Sequence, residues 1–393
     1  MTLANGRRVL ATPGPTTLPD EVLGAMHRQP IDLYGPEMER ISVSCLEDLK
    51  PIFGTRAAST YVYACNGHGA WEGAVTNVFS RGDKVLVLES GRFAIGWGEL
   101  ASVLGIEVEV LKERPRRAVD PAALTERLKA DRAHAIKAVL VVQVDTASSV
   151  VNDIPALRRA IDAANHPALF MVDCIASFAT MPFEMDAWGV DVTVAASQKG
   201  MMLPPGLGFV AAGPKAKAAH KAAGLVTRYW DWTFRDGTEN YMKHCGTAPE
   251  HLIFGLRAAL DMLSREGLPN VHRRHAVLAE ATRAAVAQWS KGGAIEFNIL
   301  DPAERSNAVT TVRTAFDPAA LIDWCERICG VTLGIAIGDV AGKGFRIAHM
   351  GHVNAPTILG VIGTVEAALV ALDIAADGGA DAAARAIGDA LKA

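Results

Sequence analysis

Cysteine is scarce in this chain, with six in 393 residues and no two of them in a CxxC pair. A disulfide framework or a structural zinc site needs more cysteine or a closer spacing, so we expect neither, nor any other metal site. Sparse cysteines that stay reduced are typical of the cytosol. The sequence therefore predicts a cytoplasmic protein without structural metal.

An excess of basic residues is also missing, because 39 Lys and Arg stand against 43 Asp and Glu, for a formal net charge of −4. Nucleic-acid binding needs a basic surface, so we expect no such partner. The N-terminus lacks an apolar run of signal-peptide length. The longest apolar region, residues 357–376, carries Glu366 and Asp373, which favour a packed helix. We expect no membrane partner.

The first two thirds of the chain alternate short apolar segments with amphipathic ones. The segments that predict buried strands are residues 59–64, 84–89, 138–144, 168–173, 192–196 and 206–212. Helices are predicted between them, for example at 121–131 and 154–164. Apolar strands separated by helices are typical of a mostly parallel sheet covered on both faces.

The pattern changes after about residue 250. Two long helices are predicted at 251–266 and 270–291, followed by strands at 295–300, 308–314 and 344–348 and a helix at 318–329. This mixture indicates a smaller α+β unit. The sequence thus predicts an α/β protein with two parts.

Polar residues follow two predicted strands, where ligands bind in open α/β sheets. Asn66, Gly67 and His68 come directly after the strand 59–64. Glycine lets the backbone approach a ligand, and the helix that begins there offers N–H groups to a phosphate, although a plain tight turn has the same composition. Asp173 closes the strand 168–173 and is either a helix cap or the partner of a buried cationic ring nitrogen.

Two basic residues occupy similar positions. Lys199 follows the strand 192–196 in apolar surroundings, where a lysine either reaches solvent or has a depressed pKa and forms a Schiff base. Arg346 lies between apolar neighbours and needs a counter-charge, from an internal salt bridge or from a substrate carboxylate. Together, a phosphate cradle, a ring-nitrogen partner, a Schiff-base lysine and a carboxylate clamp are what pyridoxal 5′-phosphate (PLP) requires.

Several ordered motifs resemble a known family. They are PGPTTLPDEV (13–22), LKPIFGT (49–55), MVDCIASF (171–178), SQKGMMLPPGLGF (197–209) and GKGFRIAHMGH (342–352). These motifs resemble the class V, fold-type I PLP-dependent aminotransferases, most closely the serine–glyoxylate and alanine–glyoxylate group. The resemblance implies a large PLP-binding domain at residues 20–250 and a small domain formed by 1–19 and 251–393. It also implies a homodimer with shared active sites.

The resemblance assigns roles to individual residues. Lys199 matches the lysine that forms the Schiff base, Asp173 the aspartate at the pyridine nitrogen, and Arg346 the arginine that binds the substrate carboxylate. Further positions match cofactor-binding residues: Asn66, Gly67, His68, Phe93, Thr146, Gln198 and Thr247. Of these, Thr247 is expected to reach the cofactor of the neighbouring subunit. Tyr34 and Gly35 fall at the entrance to the substrate site.

The implied reaction is ping-pong transamination by way of aldimines, in which Lys199 is the general base and the cofactor ring is the electron sink. The expected donor is a small L-amino acid, serine or alanine, and the expected acceptor is glyoxylate. The chain departs from the relatives' pattern at Leu33-Tyr34-Gly35, Gln143, Ser149 and His244. These departures leave open another donor such as aspartate, or pyruvate as the acceptor.

Three other interpretations are open. A glycine pattern behind a strand, followed by Glu89, resembles a nicotinamide-dinucleotide fingerprint: Gly67, Gly69 and Gly73. That hypothesis predicts a dehydrogenase but leaves the lysine and arginine without a role. A lyase of the cysteine-desulfurase type needs a reactive cysteine on a mobile loop, whereas Cys325 and Cys329 fall on a predicted helix, where we expect packed thiols. A non-enzymatic binding role has no specific sequence support.

Overall fold

The computed structural model describes residues 2–112 and 114–392, and within them the chain forms 14 strands and 14 α-helices. The strands are β1 (Val9–Ala11), β2 (Ser59–Cys65), β3 (Lys84–Leu88), β4 (Glu107–Leu111), β5 (Ile136–Val142), β6 (Val144–Asp145), β7 (Val150–Val151), β8 (Leu169–Asp173), β9 (Val192–Ala196), β10 (Gly206–Ala212), β11 (Ile295–Phe297), β12 (Val309–Thr314), β13 (Val331–Ile335) and β14 (Gly344–Ala348).

The helices are α1 (Asp20–Met26), α2 (Pro36–Phe53), α3 (Gly67–Val78), α4 (Arg92–Val103), α5 (Pro121–Ala130), α6 (Ile154–Ala163), α7 (Pro214–His220), α8 (Trp232–Arg235), α9 (Asn240–His244), α10 (Glu250–Glu266), α11 (Leu268–Trp289), α12 (Pro318–Cys329), α13 (Ala355–Ala371) and α14 (Gly379–Ala390). Short 3₁₀ turns lie at Ser290–Gly292, Pro302–Glu304 and Gly338–Val340.

A seven-stranded sheet forms the centre of the molecule, in the order β2-β10-β9-β8-β5-β3-β4. Only β10 runs against its neighbours, and the pairs from β9 to β4 are all parallel. Helices α2, α5, α6 and α10 pack on one face, and α3, α4 and α7 pack on the other. The predicted α/β fold with a mostly parallel, doubly covered sheet is confirmed.

A second sheet of five strands has the order β1-β13-β14-β12-β11. Strand β1, from the start of the chain, pairs in parallel with β13, and the other pairs are antiparallel. Helices α11 to α14 cover this sheet. Helix α10 packs on α1 and α2, so the core of the central sheet continues past residue 250. The domain limits given above stay a prediction.

The apolar region near residue 357 forms α13, which packs against the second sheet. Among the residues that the structure describes, no helix has both the length and the apolar character needed to cross a membrane. Five strands were not predicted: β1, β4, β13 and the two-residue strands β6 and β7. Strand β4 alternates glutamate with apolar residues because it lies at the edge of the sheet, where it is only half buried.

Candidate active site

A cavity of about 320 Å³ opens at the carboxyl ends of β5, β8 and β9. Nine of the twelve predicted site residues line it: Asn66, Gly67, His68, Phe93, Thr146, Asp173, Gln198, Lys199 and Arg346. The other lining residues are Pro13, Gly14, Pro15, Trp71, Val142, Val144, Ile175, Ala176 and Pro205. The predicted residues come from both sheets and from segments far apart in the sequence, so folding assembles one site from them.

Asp173 is the buried acid of this cavity and the last residue of β8. Its Oδ2 accepts a hydrogen bond from Trp71 Nε1 at 2.8 Å, and its Oδ1 accepts one from the Ile175 N–H at 2.6 Å. Burial raises the pKa of Asp173 to about 7, against the opposing effect of these two donors. A cation in the cavity would favour the ionised form of this carboxyl group.

Lys199 lies in the turn that follows β9, with 8% of its surface exposed. Its Nζ donates a hydrogen bond to the Pro13 carbonyl oxygen. Burial, together with the positive charge of Arg346, lowers the pKa of the Lys199 amine to about 8. A lowered pKa raises the unprotonated fraction of this amine near neutral pH, and the unprotonated form is the one that acts as a nucleophile or a general base.

Arg346 is the second buried cation, on β14 of the smaller sheet. Its Nε donates to the Ile335 carbonyl at 2.7 Å and its Nη1 to the Thr146 carbonyl at 2.8 Å. Across residues 2–112 and 114–392 no carboxylate lies within ion-pair distance of Arg346, so the internal salt bridge considered for it is absent there. Burial lowers its pKa to about 10. The charge of Asp145 acts on Arg346 without an ion-pair contact and opposes this lowering, and a carboxylate from a ligand would supply a direct partner.

The N-terminus of α3 forms another wall. Asn66 is the N-cap, and its Oδ1 accepts from the N–H groups of His68 at 3.1 Å and Gly69 at 3.3 Å. A Cβ on Gly67 would lie 2.6 Å from Ile175 Cδ1, so only glycine fits there without displacing that side chain. Helix N-termini with such close backbone packing bind phosphate readily.

Gln198 completes the polar lining beside Lys199. Its Oε1 is buried and accepts no hydrogen bond from the described residues. A buried amide oxygen without a partner costs free energy unless a ligand or water satisfies the group. The Gln198 amide therefore has capacity for a ligand in this cavity.

Sequence reasoning missed Asp145, which holds Phe93 and Thr146 in place. Asp145 is fully buried; its Oδ2 accepts from the Phe93 and Ala94 N–H groups at 2.8 and 3.2 Å, and its Oδ1 accepts from the Ala147 N–H at 2.9 Å. Burial raises its pKa. Its carboxylate caps the start of α4, where an anion is favourable. The sequence does contain a signal for this residue, because Asp145 closely follows the apolar strand β5.

Trp71 was missed as well, although it lies one helical turn after Gly67. Its indole is buried, and its ring centroid lies 4.5 Å from that of His68. By donating to Asp173 and packing on His68, Trp71 links the acid of the cavity to the start of α3. Sequence spacing alone identifies the helix face, but it does not identify a hydrogen bond to a residue 102 positions away.

Three predicted residues do not line the cavity in this chain. Tyr34 is 77% exposed, Gly35 is the N-cap of α2, and Thr247 lies exposed shortly before α10. They lie on the surface of the described chain, and the roles that the resemblance gives them at an entrance or in a neighbouring subunit stay predictions.

The positions that depart from the relatives' pattern also lie outside the cavity lining. Gln143 is buried, with its Oε1 accepting from Ser177 Oγ and its Nε2 donating to the Pro182 carbonyl. Ser149 has φ of 66°, a conformation that glycine adopts without strain. His244 contacts Ser42 Oγ at 3.0 Å, and burial lowers its pKa to about 4. Within one subunit, an effect of Gln143, Ser149 or His244 on the donor would therefore be indirect.

The glycine pattern of the dinucleotide hypothesis lies inside helix α3 rather than in a turn. A Cβ on Gly73 would come within 2.9 Å of Trp230, so this glycine makes room for the indole. Cys325 and Cys329 lie on α12, and burial raises the pKa of Cys325 to about 12. No cysteine is among the residues that line the cavity. Neither alternative gains support from the geometry.

The lining residues fit PLP in charge and shape. A buried carboxyl group suits a protonated ring nitrogen, an amine with a lowered pKa suits an aldehyde, and a helix N-terminus beside an unsatisfied amide suits a phosphate. Within residues 2–112 and 114–392, no group of three or more His, Cys, Asp or Glu side chains could hold a metal ion.

Comparison with known proteins gives the same family. The model of the family described as Aminotransferase class-V matches residues 9–333. The chain is 40% identical over 374 residues to the serine–glyoxylate aminotransferase of Methylorubrum extorquens, covering 93% of this chain and 92% of that protein. It is 37% identical over 366 residues to the L-aspartate–glyoxylate aminotransferase of Paracoccus denitrificans, covering 92% and 91%.

A solved structure agrees with this assignment. The crystal structure of pyridoxamine–pyruvate aminotransferase from Mesorhizobium loti superimposes with a TM-score of 0.89 at 25% identity, covering 99% of this chain and 100% of that one. The family match, the relatives and the fold agree with one another. The chain therefore belongs to the class-V aminotransferases of fold type I, and it is an enzyme whose cofactor is PLP.

Proposed function

We propose that this enzyme transfers the amino group of a small L-amino acid, serine or alanine, to glyoxylate. The observation that carries the proposal is the buried guanidinium of Arg346, which lacks a carboxylate partner among the described residues and shares one cavity with Lys199 and Asp173. Amino acids and 2-oxo acids both present a carboxylate to such a group. Relatives named serine–glyoxylate aminotransferases support the choice of substrates.

The size and charge of the cavity favour a small, uncharged donor side chain. About 320 Å³ is at the lower end for ligand sites, and the cofactor takes a large part of it. Among the described residues that line the cavity, Arg346 and Lys199 are the only lysine or arginine, so these residues offer no second guanidinium to a side-chain carboxylate. Aspartate is the alternative donor, because one relative is named an L-aspartate–glyoxylate aminotransferase.

Each buried group has a task in the proposed reaction. PLP supplies an aldehyde for the amino group and a ring that withdraws electrons from the substrate α-carbon. Arg346 holds the substrate carboxylate and so orients the α-carbon. Lys199 Nζ, with a pKa lowered to about 8, takes the α-proton and returns it. Asp173, as a carboxylate, keeps the ring nitrogen protonated.

The remaining lining residues hold the cofactor in this proposal. Asn66, Gly67 and His68 at the start of α3, together with the Gln198 amide, would hold its phosphate. Phe93 would cover the ring, and Thr146 would lie near the phenolic oxygen. Support comes from their shared cavity, from the capped N-terminus of α3 and from the orphaned Gln198 Oε1.

We also propose a cytoplasmic homodimer in which each subunit completes the other's site. Thr247 would reach the phosphate of the partner's cofactor, and Tyr34 and Gly35 would border its entrance. The exposure of Tyr34 and Thr247 in the single chain, away from its own cavity, supports this arrangement. Six cysteines without a CxxC pair support a reducing compartment.

The visible spectrum of the purified, PLP-loaded enzyme tests the proposed reaction. L-Serine or L-alanine should bleach the yellow band, and glyoxylate should restore it. Bleaching by L-aspartate alone would replace the proposed donor with the alternative. A yellow enzyme that none of the three amino acids bleaches would refute transamination of these donors.

A further inference from the structure

Thr16 lies against the backbone of the lysine turn and is buried there. Its N–H donates to the Gln198 carbonyl at 3.2 Å, and its Oγ1 donates to the Lys199 carbonyl at 3.0 Å. One residue therefore binds two consecutive peptide groups of the segment that carries the amine. The first bond comes from the backbone, and only the second depends on the Thr16 side chain.

The same N-terminal segment also contacts the side chain of Lys199 along its length. The Pro13 carbonyl accepts from Lys199 Nζ. Gly14 has φ of 100°, and a Cβ there would lie 2.8 Å from both Cδ and Cε of Lys199. Residues 13–16 thus contact Lys199 from its carbonyl oxygen to its amine.

This segment is itself fixed by the second sheet. It continues from β1, which pairs with β13, and a Cβ on Gly334 of β13 would lie 2.6 Å from Pro13 Cδ and 3.1 Å from Arg346 Cβ. On the other side, a Cβ on Gly351 would lie 3.0 Å from Thr16 Oγ1 and 3.2 Å from the Lys199 carbonyl. The packing leaves Thr16 little room to move.

We propose that Thr16 is a positioning residue, whose hydroxyl fixes the Lys199 backbone so that Nζ meets the substrate α-carbon. The proposal rests on the role given above to Lys199. Proton transfer needs the amine within hydrogen-bond reach of its target, and a displacement of about 1 Å can cost about a hundredfold in rate. Thr16 acts through Lys199 and is not among the residues lining the cavity.

The chain offers a matched set of variants for the test. Thr16→Val removes the hydroxyl and keeps the shape, whereas Thr16→Ser keeps the hydroxyl. The Lys199 carbonyl retains a second donor, the Met202 N–H at 3.0 Å, so Thr16→Val does not leave it unpaired and should fold. Thr17→Val is the control, because Thr17 is half-buried and its side chain makes no hydrogen bond to the described residues.

Each PLP-loaded variant is compared with wild type in kcat, in KM for L-serine, and in the pH midpoint at which its visible band titrates. We expect Thr16→Val to lower kcat about ten- to a hundredfold with little change in KM, and to shift the midpoint. Thr16→Ser and Thr17→Val should retain wild-type values. A loss of folding alone would lower bound cofactor and melting temperature without moving the midpoint of the loaded fraction.

Unchanged kcat and midpoint in Thr16→Val would overturn the proposal, and so would an equal loss in Thr17→Val. If Thr16→Val does not fold, Thr16→Ser decides the question, because it keeps the hydroxyl and should behave like wild type. A loss of turnover and a shifted midpoint in Thr16→Ser would show that the hydroxyl does not position Lys199. Borohydride trapping of the cofactor on Lys199 in wild type is measured separately. If no cofactor is trapped on Lys199, the proposed role of Lys199 is wrong. If the cofactor is trapped there but Thr16→Val keeps the wild-type kcat and midpoint, only the inference about Thr16 is wrong.

Discussion

The buried and the exposed halves of the proposed site differ in how the chain holds them. Asp173, Lys199 and Arg346 are each at least 92% buried. Each makes a hydrogen bond to a residue at least 11 positions away in the sequence, and Asp173 also accepts one from the nearby Ile175 N–H. Tyr34 and Thr247 are exposed and do not touch the cavity of their own chain. Asp173, Lys199 and Arg346 are thus built into the core of one subunit, whereas Tyr34 and Thr247 would reach a cavity only in the dimer proposed above.

This difference shows which properties of the site follow from the structure of one subunit alone. Burial sets the charge states of the inner groups, raising the pKa of Asp173 to about 7 and lowering that of Lys199 to about 8. Tyr34, by contrast, faces solvent. Variants of the inner groups should therefore stop or slow turnover, and variants of the outer groups should change binding modestly.

The largest effect is expected from Lys199→Ala. Without the amine there is neither an attachment point for the cofactor nor a base for the α-proton, so turnover should fall to background, at least about a thousandfold. Steady-state assay with L-serine and glyoxylate measures the loss. Lys221→Ala, on the exposed end of the α7 segment, is the control and should be unaffected. Turnover within tenfold of wild type in Lys199→Ala would contradict the assignment.

Arg346→Gln should have the next largest effect. A hydrogen-bonded charge pair with the substrate carboxylate is worth about 1.5–3 kcal/mol, so KM for both L-serine and glyoxylate should rise about ten- to a hundredfold. Arg327→Gln provides the control, since Arg327 is largely exposed and pairs only with Asp323 on its own helix. An unchanged KM for both substrates would show that another group binds the carboxylate.

A smaller effect is expected from Thr247→Ala, which tests the exposed half. Loss of one hydrogen bond to the phosphate should weaken PLP binding about two- to tenfold. Hybrid dimers of a Thr247→Ala chain with a Lys199→Ala chain sharpen the test. In them, the site that keeps Lys199 receives an intact Thr247 from its partner and should bind PLP with wild-type affinity. Weak binding in the hybrid would place Thr247 in its own subunit's site.

The smallest effect concerns the stability of the PLP-free protein. Because the folded pKa of Asp173 is raised from 3.8 to about 7, its contribution to stability is fully present below about pH 4 and is lost as pH rises to about 7. Asp173→Asn cannot ionise at this position. The difference in melting temperature between this variant and wild type should therefore change in favour of the variant by a few degrees from pH 4 to pH 7, and stay constant above pH 7. A constant difference across this range would contradict the raised pKa.

Much of the fold could be predicted from short-range pattern. Strands β9 and β10 have the predicted bounds, because runs of buried residues end at polar or turn residues. Strand β11 ends at Phe297, three residues before its predicted limit; the next residue, Asn298, still donates its N–H to the Thr311 carbonyl of β12, while its side chain donates to the Ser148 carbonyl. Edge strand β4 escaped prediction because its glutamates resemble those of a surface segment.

The residues of the candidate site also divide into those that a local sequence pattern indicates and those that depend on contacts between distant segments. Positions such as Asp173 and Lys199 could be selected because a polar residue follows an apolar strand, where parallel sheets place ligands. Asp145 carries the same signal, since it closely follows an apolar strand. Trp71 and Thr16 could not be selected, because their importance lies in contacts across 102 and 183 residues of sequence. The Thr16 contact forms only when the segment after β1, a strand of the second sheet, packs on the lysine turn.

The most direct test of the central claim is to find where the cofactor attaches. The PLP-loaded enzyme is reduced with borohydride and digested, and mass spectrometry locates the modified lysine. The account predicts a single modified peptide in which Lys199 carries the pyridoxyl phosphate group. A modification on any other lysine, or none at all in an enzyme that turns over, would contradict the assignment of this cavity as the active site.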